Sequence, residues 1–281
     1  MRAVARVFPV RDLQIAAKEW GAGQRVLALH GWLDNAGSFD VLAPLLSGCH
    51  LVALDLPGQG LSSHRPACAD YHLWNDLVDV LLVADQLGWE QFVLLGHSRG
   101  AMLSVMLAAS FPERVQQLFL LDGLMPLPVQ AEDAPQQLRQ YVKAMAYPKG
   151  RGRCFATKDE AISLRARATA MPIPETVAAI LVERNLQQEG EGWVWRYDDR
   201  LKGASAVKMT GAHNRAFLNA LDCPVSVMMA EQGMGSYSAV AEWQQAFSGF
   251  DWLRFPGHHH FHLDAQATQL AKAMLERLVS R

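Results

Sequence analysis

The junction at residues 92–110 constrains the fold most. Phe92-Val93-Leu94-Leu95, a short apolar run, passes without a linker into Gly96-His97-Ser98-Arg99-Gly100 and then into Ala101–Ser110, which is apolar nearly all round. A strand followed at once by a helix with no polar face reads as a βα unit buried in a parallel sheet. Gly96 and Gly100 permit a tight turn between the two elements, and that turn exposes Ser98 at its tip.

The rest of the chain repeats the theme. Arg25–His30, Leu51–Asp55 and Val115–Leu121 are further apolar runs, alternating with longer amphipathic stretches. Upstream, Ala3–Phe8 predicts an initial strand, and Leu13, Ile15 and Ala17 alternate with polar residues as a half-exposed antiparallel strand would. Leu73–Leu87 carries Trp74, Leu77, Val78, Leu81 and Leu82 at helical spacing.

After Asp122 the pattern changes. Met125 to Leu218 is rich in Pro, Gln, Arg and Ala, with helices predicted at Ala134–Ala146, Asp159–Ala170 and Pro174–Glu189 and no buried strand. Sheet character returns at Pro224–Ala230 and Trp252–Phe255, and an amphipathic helix closes the chain at Asp264–Val279. The reading is one α/β core, residues 1–124 and 219–281, interrupted by a helical cap at 125–218. At 281 residues the chain can bury such a core as a single domain.

Charge narrows the partners. Lys and Arg (26) nearly balance Asp and Glu (28), and no basic stripe concentrates them, so nucleic acid is not an expected partner. No apolar run reaches the roughly 18 residues that span a bilayer, and MRAVARVFPVRDLQ lacks the apolar stretch of a signal peptide. The expectation is a soluble, cytoplasmic protein without membrane insertion. Its four cysteines (49, 68, 154, 223) are widely spaced and read as reduced thiols.

A serine hydroxyl is a poor nucleophile at neutral pH unless a base and an electropositive turn surround it. Leu29-His30-Gly31-Trp32 ends an early strand, where acyl transfer needs its second oxyanion donor; the expected donors are the amides of Trp32 and Arg99. His30 reads as a structural residue bonded to loop backbone, and Asp34 and Asn35 as caps of the next helix. The Trp32 side chain either lines an acyl pocket or packs in the core.

Near the C-terminus, Gly257-His258-His259-His260-Phe261-His262 follows the last strand. Neighbours in an extended segment point in opposite directions and no HExxH or similar ligand set accompanies them, so a general base is the better reading and no metal is expected. An acid to orient that base must end a strand. Asp122 and Glu231 both do, and spacing does not choose between them.

Taken in order, HGW at 30–32, DLPGQGLSS at 55–63, GHSRG at 96–100 and GHHHFH at 257–262 resemble the α/β-hydrolase superfamily over nearly the whole chain. HGWLDNAGSFD, DLPGQGLSSHRP and GWVWRYDDRLK are most similar to the serine hydrolase-like proteins. The resemblance implies a mostly parallel eight-stranded sheet flanked by helices, with the helical cap after strand six. Its G-x-H-x-x-H pattern, laid on Gly257, implies His259 as the base and His262 as the trailing histidine, with His258 and His260 as neighbours.

The superfamily's usual Asp after strand seven is replaced here by Ala230-Glu231-Gln232-Gly233. A haloalkane dehalogenase subgroup takes its acid from the end of strand six instead, which Leu121-Asp122-Gly123-Leu124-Met125-Pro126 matches; the resemblance therefore favours Asp122. Dehalogenase chemistry does not follow, because it needs an aspartate where this chain has Ser98.

The expected reaction is hydrolysis of a carboxylic ester or related small acyl substrate by Ser98, His259 and Asp122, with no metal or organic cofactor. A lactonase or thioesterase would use the same triad, and a ligand-binding protein of this fold would use none of it. Trp193, Trp195 and Met171 either line a substrate pocket or pack the cap onto the core. The Arg99 side chain either attracts a carboxylate or forms a salt bridge.

Overall fold

A computed structural model describes residues 2–147, 152–167 and 171–278. The first half comprises β1 (Val4–Val10), β2 (Leu13–Gly21), β3 (Gln24–Leu29), β4 (Cys49–Leu54), α1 (Leu73–Gln86), β5 (Phe92–His97), α2 (Arg99–Ser110) and β6 (Val115–Leu121). There follow α3 (Ala134–Ala146), β7 (Cys154–Phe155), α4 (Lys158–Arg167), α5 (Glu175–Asn185), β8 (Leu186–Glu189), β9 (Gly192–Trp195) and α6 (Gly211–Asn219). The chain closes with β10 (Val225–Gln232), α7 (Ser238–Ala246), β11 (Asp251–His258) and α8 (Ala267–Leu275).

Eight strands form one sheet in the order β1-β2-β4-β3-β5-β6-β10-β11. β2 is antiparallel to β1 and β4, and the remaining pairings are parallel, as the sequence pattern implied. Side chains alternate faces along each strand. Phe92 and Leu94 of β5, Leu27 and Leu29 of β3, and Leu118 and Leu120 of β6 join the core on one face, against Val80, Val83 and Leu103. Val93, Leu95, Val26, Ala28, Phe119 and Leu121 face the other way, against Phe39, Leu270 and Met274. Both faces are covered, so these strands read as unbroken apolar runs. β1 lies at the sheet edge and is mostly exposed.

Among the described residues, the segment between β6 and β10 adds no strand to this sheet. Its predicted helices appear as α3, α4 and α5, although residues 168–170 lie outside the described residues. The helix predicted to Glu189 stops at Asn185. Leu186 turns extended (φ −104°, ψ 149°), and β8, β9 and β7 form a second, antiparallel sheet around a turn at Gly190 (φ 60°). The sequence carries no sign of this small sheet, since none of its strands is buried throughout: β8 is four residues long and its Gln188 and Glu189 are exposed, leaving no apolar alternation to read. Trp193 and Trp195 pack inside this segment, against Phe155, Val182 and Leu186, rather than onto the main sheet. Met171 does pack against the main core. The closing helix also falls short of its prediction, running Ala267–Leu275, with Val279 outside the described residues. Helices α6 and α7 had no predicted counterpart. No helix among the described residues is long and apolar enough to cross a membrane.

Register places the site. Leu29 pairs with Gly96, His97 with Leu121, Leu121 with Met228, and Gln232 with His258. The segments after β3, β5, β6 and β11 therefore leave the same edge of the sheet. In open α/β sheets the crevice outside the carboxyl ends of the strands is where ligands bind.

Candidate active site

Ser98 lies between β5 and α2 with φ 52° and ψ −113°, a backbone conformation that a residue with a side chain seldom adopts and that clusters at functional sites. Its N–H donates to Leu121 O at 2.9 Å, which ties the turn to the end of β6. The flanking glycines are required by proximity. A Cβ on Gly96 would lie 2.5 Å from Gly100 O, and one on Gly100 would lie 1.9 Å from Leu29 O. The start of α2 thus presses on the end of β3. Gly100→Ala is expected to cost about 3 kcal/mol of stability in a thermal or urea melt, because two backbone segments must separate to admit one methyl.

Arg99 opens α2, so its amide has no acceptor within the helix and lies at the positive end of the helix dipole. Trp32 N donates to no acceptor among the described residues. The Trp32 loop is held from several directions. Leu33, at φ 59°, receives Asn185 Nδ2 on its carbonyl (2.9 Å) and donates its N–H to Gln59 Oε1 (2.7 Å). Trp32 Nε1 donates to Leu201 O (3.0 Å), and the side chain is 46% exposed, which excludes core packing. His30 bridges backbone: its Nε2 accepts from Leu56 N (2.9 Å), so Nδ1 carries the proton and donates to Gly31 O (2.7 Å). Burial lowers its pKa. The Arg99 guanidinium turns away to a salt bridge with Asp76 at 2.6 Å.

Buried Asp55, first residue of DLPGQG, accepts from Ala36 N (2.7 Å) and Leu61 N (2.8 Å) and binds Arg184 Nε through both oxygens (3.0 and 2.8 Å). Gln59 and Asp55 are thus supports of the site that composition and periodicity did not single out.

His259 and Asp122 meet. His259 Nδ1 lies 2.5 Å from Asp122 Oδ2, with the histidine buried and the carboxylate fully so. Asp122, itself at φ 41°, also accepts from Ala230 N and Met234 N, each at 2.9 Å. A Cβ on Gly233 would sit 2.0 Å from its Oδ2, and one on Gly123 would lie 2.7 Å from Ser98 O. Glu231, at the end of β10, is exposed and makes no hydrogen bond to these groups among the described residues. His258 instead contacts Asp264 (3.2 Å).

Beneath this pair lies a cluster that strand alternation concealed. His97 Nε2 donates to His259 O (3.0 Å), and the His97 ring centroid is 4.6, 4.7 and 4.3 Å from those of His259, His260 and His262. His262 contacts Ser38 Oγ (3.0 Å). Asp34 does not cap the helix that follows; Asn35 does, accepting from Gly37 N at 2.9 Å. The Asp34 carboxylate turns inward to His260 Nε2 (2.8 Å) and Arg165 Nη2 (2.7 Å); His97 Nδ1 lies 3.7 Å from it without a hydrogen bond.

Burial would push the Asp34 carboxyl up, but His260 and Arg165 hold it well below the usual carboxylate range. Burial also lowers His97 and His262, and takes His260 down to about 4, so these rings are neutral near pH 7. Donor atoms of Asp34, His97 and His260 lie within 4.8 Å of one another, a spacing open to a metal ion. Arg165 already matches the carboxylate's charge there, however, and a further cation would have to displace it. A cavity of about 380 Å³ opens elsewhere, lined by Leu61, His64, Arg153, Trp195 and Tyr197 but not by Ser98 or His259.

The α/β-hydrolase fold defined by this sheet and elbow is matched by the family model of that description over residues 24–153. A serine hydrolase-like protein of Dictyostelium discoideum is 31% identical over 270 residues, covering 90% of this chain and 75% of the relative. The crystal structure of a hypothetical protein from Pseudomonas aeruginosa PAO1 superposes with a TM-score of 0.93 at 40% identity, over 97% of this chain and 98% of that one. The thioesterase domain from the curacin biosynthetic pathway shares the fold (TM-score 0.85, 24% identity, 98% and 100% coverage). The chain belongs to the α/β-hydrolase family, among the serine hydrolase-like proteins.

Proposed function

We propose that the chain hydrolyses carboxylic esters or related acyl compounds through an acyl-enzyme on Ser98. The 2.5 Å contact between His259 Nδ1 and Asp122, beside the strained Ser98 turn, carries this reading. An ionised carboxylate accepts only, so Nδ1 bears the proton and Nε2 is left as the basic nitrogen. His259 removes the Ser98 proton, Oγ attacks the acyl carbon, and the negative oxygen forms where the Trp32 and Arg99 amides donate. His259 then protonates the leaving group. Water repeats the sequence to free the acid, and Asp122 stabilises the imidazolium in both halves.

In this reading residues 125–218 cap the site, since Arg165, Arg184, Asn185 and Leu201 all anchor on the loops around Trp32 or Asp55. The chemistry needs no metal, so turnover should persist after EDTA treatment and dialysis; loss restored by added Zn²⁺ would argue for metal-assisted hydrolysis. Steady-state kcat/KM on matched oxyester, thioester and lactone panels tests the substrate class, the oxyester being the expected preference.

A further inference from the structure

Asp34 has an unusual position. It lies two residues after Trp32, and its carboxylate accepts from His260, the side chain after the proposed base; His97, the residue before the proposed nucleophile, packs 3.7 Å away and is tied to the base loop by its own bond to His259 O. The other carboxylate oxygen is held by Arg165 from α4. Asp34 thus joins the loop after β3 to the base loop, His97 joins the base loop to the nucleophile turn, and a single guanidinium ties Asp34 to α4.

We propose that Asp34 and Arg165 are positioning residues that hold the base loop in register with the nucleophile turn and the oxyanion loop. The inference rests on the Ser98–His259–Asp122 reading and adds residues that do not touch substrate. The link to the base is short. His97 donates to the carbonyl of His259 itself (3.0 Å), while His260, bonded to Asp34, continues the same backbone. Asp34 is 1% exposed. Such a carboxylate keeps its place while its charge is matched and its oxygens are bonded. Without Arg165, one Asp34 oxygen loses its only hydrogen-bond partner among the described residues, and the carboxylate is free to rotate or draw in water, carrying His260 with it. A displacement of about 1 Å at a general base can cost about 100-fold in rate.

The geometry also separates this role from substrate binding. Arg165 Nη2 is engaged by Asp34 and lies 3.4 Å from His260 Nε2, and the side chain is largely buried. Its removal should alter how often a bound ester reacts, not how well it binds.

The test is steady-state kinetics on a p-nitrophenyl ester with full-length wild type, Arg165→Gln, Arg165→Lys, Asp34→Asn and the Arg165→Gln/Asp34→Asn double variant. The expected result for Arg165→Gln is a loss in kcat of about tenfold or more with KM within about threefold, and a parallel fall in the rate of Ser98 labelling by a fluorophosphonate. Arg165→Lys should recover most of kcat. The double variant should be no slower than Asp34→Asn, because both changes break one ion pair. Three results would overturn the proposal: a change confined to KM, which makes Arg165 a substrate contact; a lowered Tm with kcat unchanged, which makes the pair a plain structural bridge; or losses that multiply in the double variant. If Asp34→Asn does not fold, the Gln and Lys variants at position 165 decide it. Failure of the wild type to label at Ser98 would instead overturn the catalytic reading itself.

Discussion

Ser98→Ala should abolish turnover and fluorophosphonate labelling together while leaving the melting temperature within a few degrees of wild type. The hydroxyl is removed, but the turn that presents it is built by other atoms: Ser98 N bonds Leu121 O, and Ser98 O accepts from Ala101 N (3.0 Å) and Met102 N (3.3 Å). Alanine preserves those backbone bonds, and the positive φ is as costly for one residue as for the other. Loss of the nucleophile in a triad leaves only the contribution of substrate binding and the oxyanion donors, so kcat is expected to fall by about six orders of magnitude. Mass spectrometry of labelled, digested protein checks the position directly. Labelling that survives the substitution would mean that another residue is the nucleophile.

Asp122→Asn is expected to lower kcat by about three to four orders of magnitude, and Glu231→Gln to change it by less than about twofold. The difference follows from what each carboxylate meets. Asp122 is fully buried, holds two backbone amides and faces His259 Nδ1, whereas Glu231 projects to solvent from the end of β10. The side-chain amide introduced by Asp122→Asn can turn its NH2 toward the imidazole, which favours the tautomer with the proton on Nε2 and removes the lone pair that Ser98 needs. Steady-state rates of the two variants, with circular dichroism to confirm folding, settle the comparison. A large loss in Glu231→Gln with Asp122→Asn near wild type would transfer the acid to position 231.

The sheet was legible because its strands are covered on both faces. Phe92–Leu95 and Val115–Leu121 can be nothing but interior, and the elbow between β5 and α2 is written in consecutive residues. The antiparallel strands of the segment after β6 were not legible, since Gln187, Gln188 and Glu189 are set by their partners in β9 and not by a buried face. The candidate site divides in the same way. Ser98 and the histidine segment carry local signatures. The choice between Asp122 and Glu231 turns on which side chain is directed inward: β10, the neighbour of β11, carries Glu231 out to solvent, whereas Asp122, one strand further away, is buried against His259. Asp34 reads as a cap in the sequence because an Asx residue before a turn usually bonds the nearest free amide; here Asn35 takes that amide, and Asp34 is drawn inward by groups far along the chain. The same holds for His97, which offers no local sign that three other imidazoles surround it.

The contact between Asp34 and His260 spans 226 positions of the chain, that between Asp122 and His259 spans 137, and that between Arg165 and Asp34 spans 131. Long-range closures of this kind must wait until the chain between them has been ordered. During refolding from denaturant, far-UV signal and burial of the β5–α2 unit should therefore recover before hydrolytic activity does. Activity is then a report on the last contacts to form, and a chain truncated before β11 would have most of its sheet and would lack His259, the proposed base.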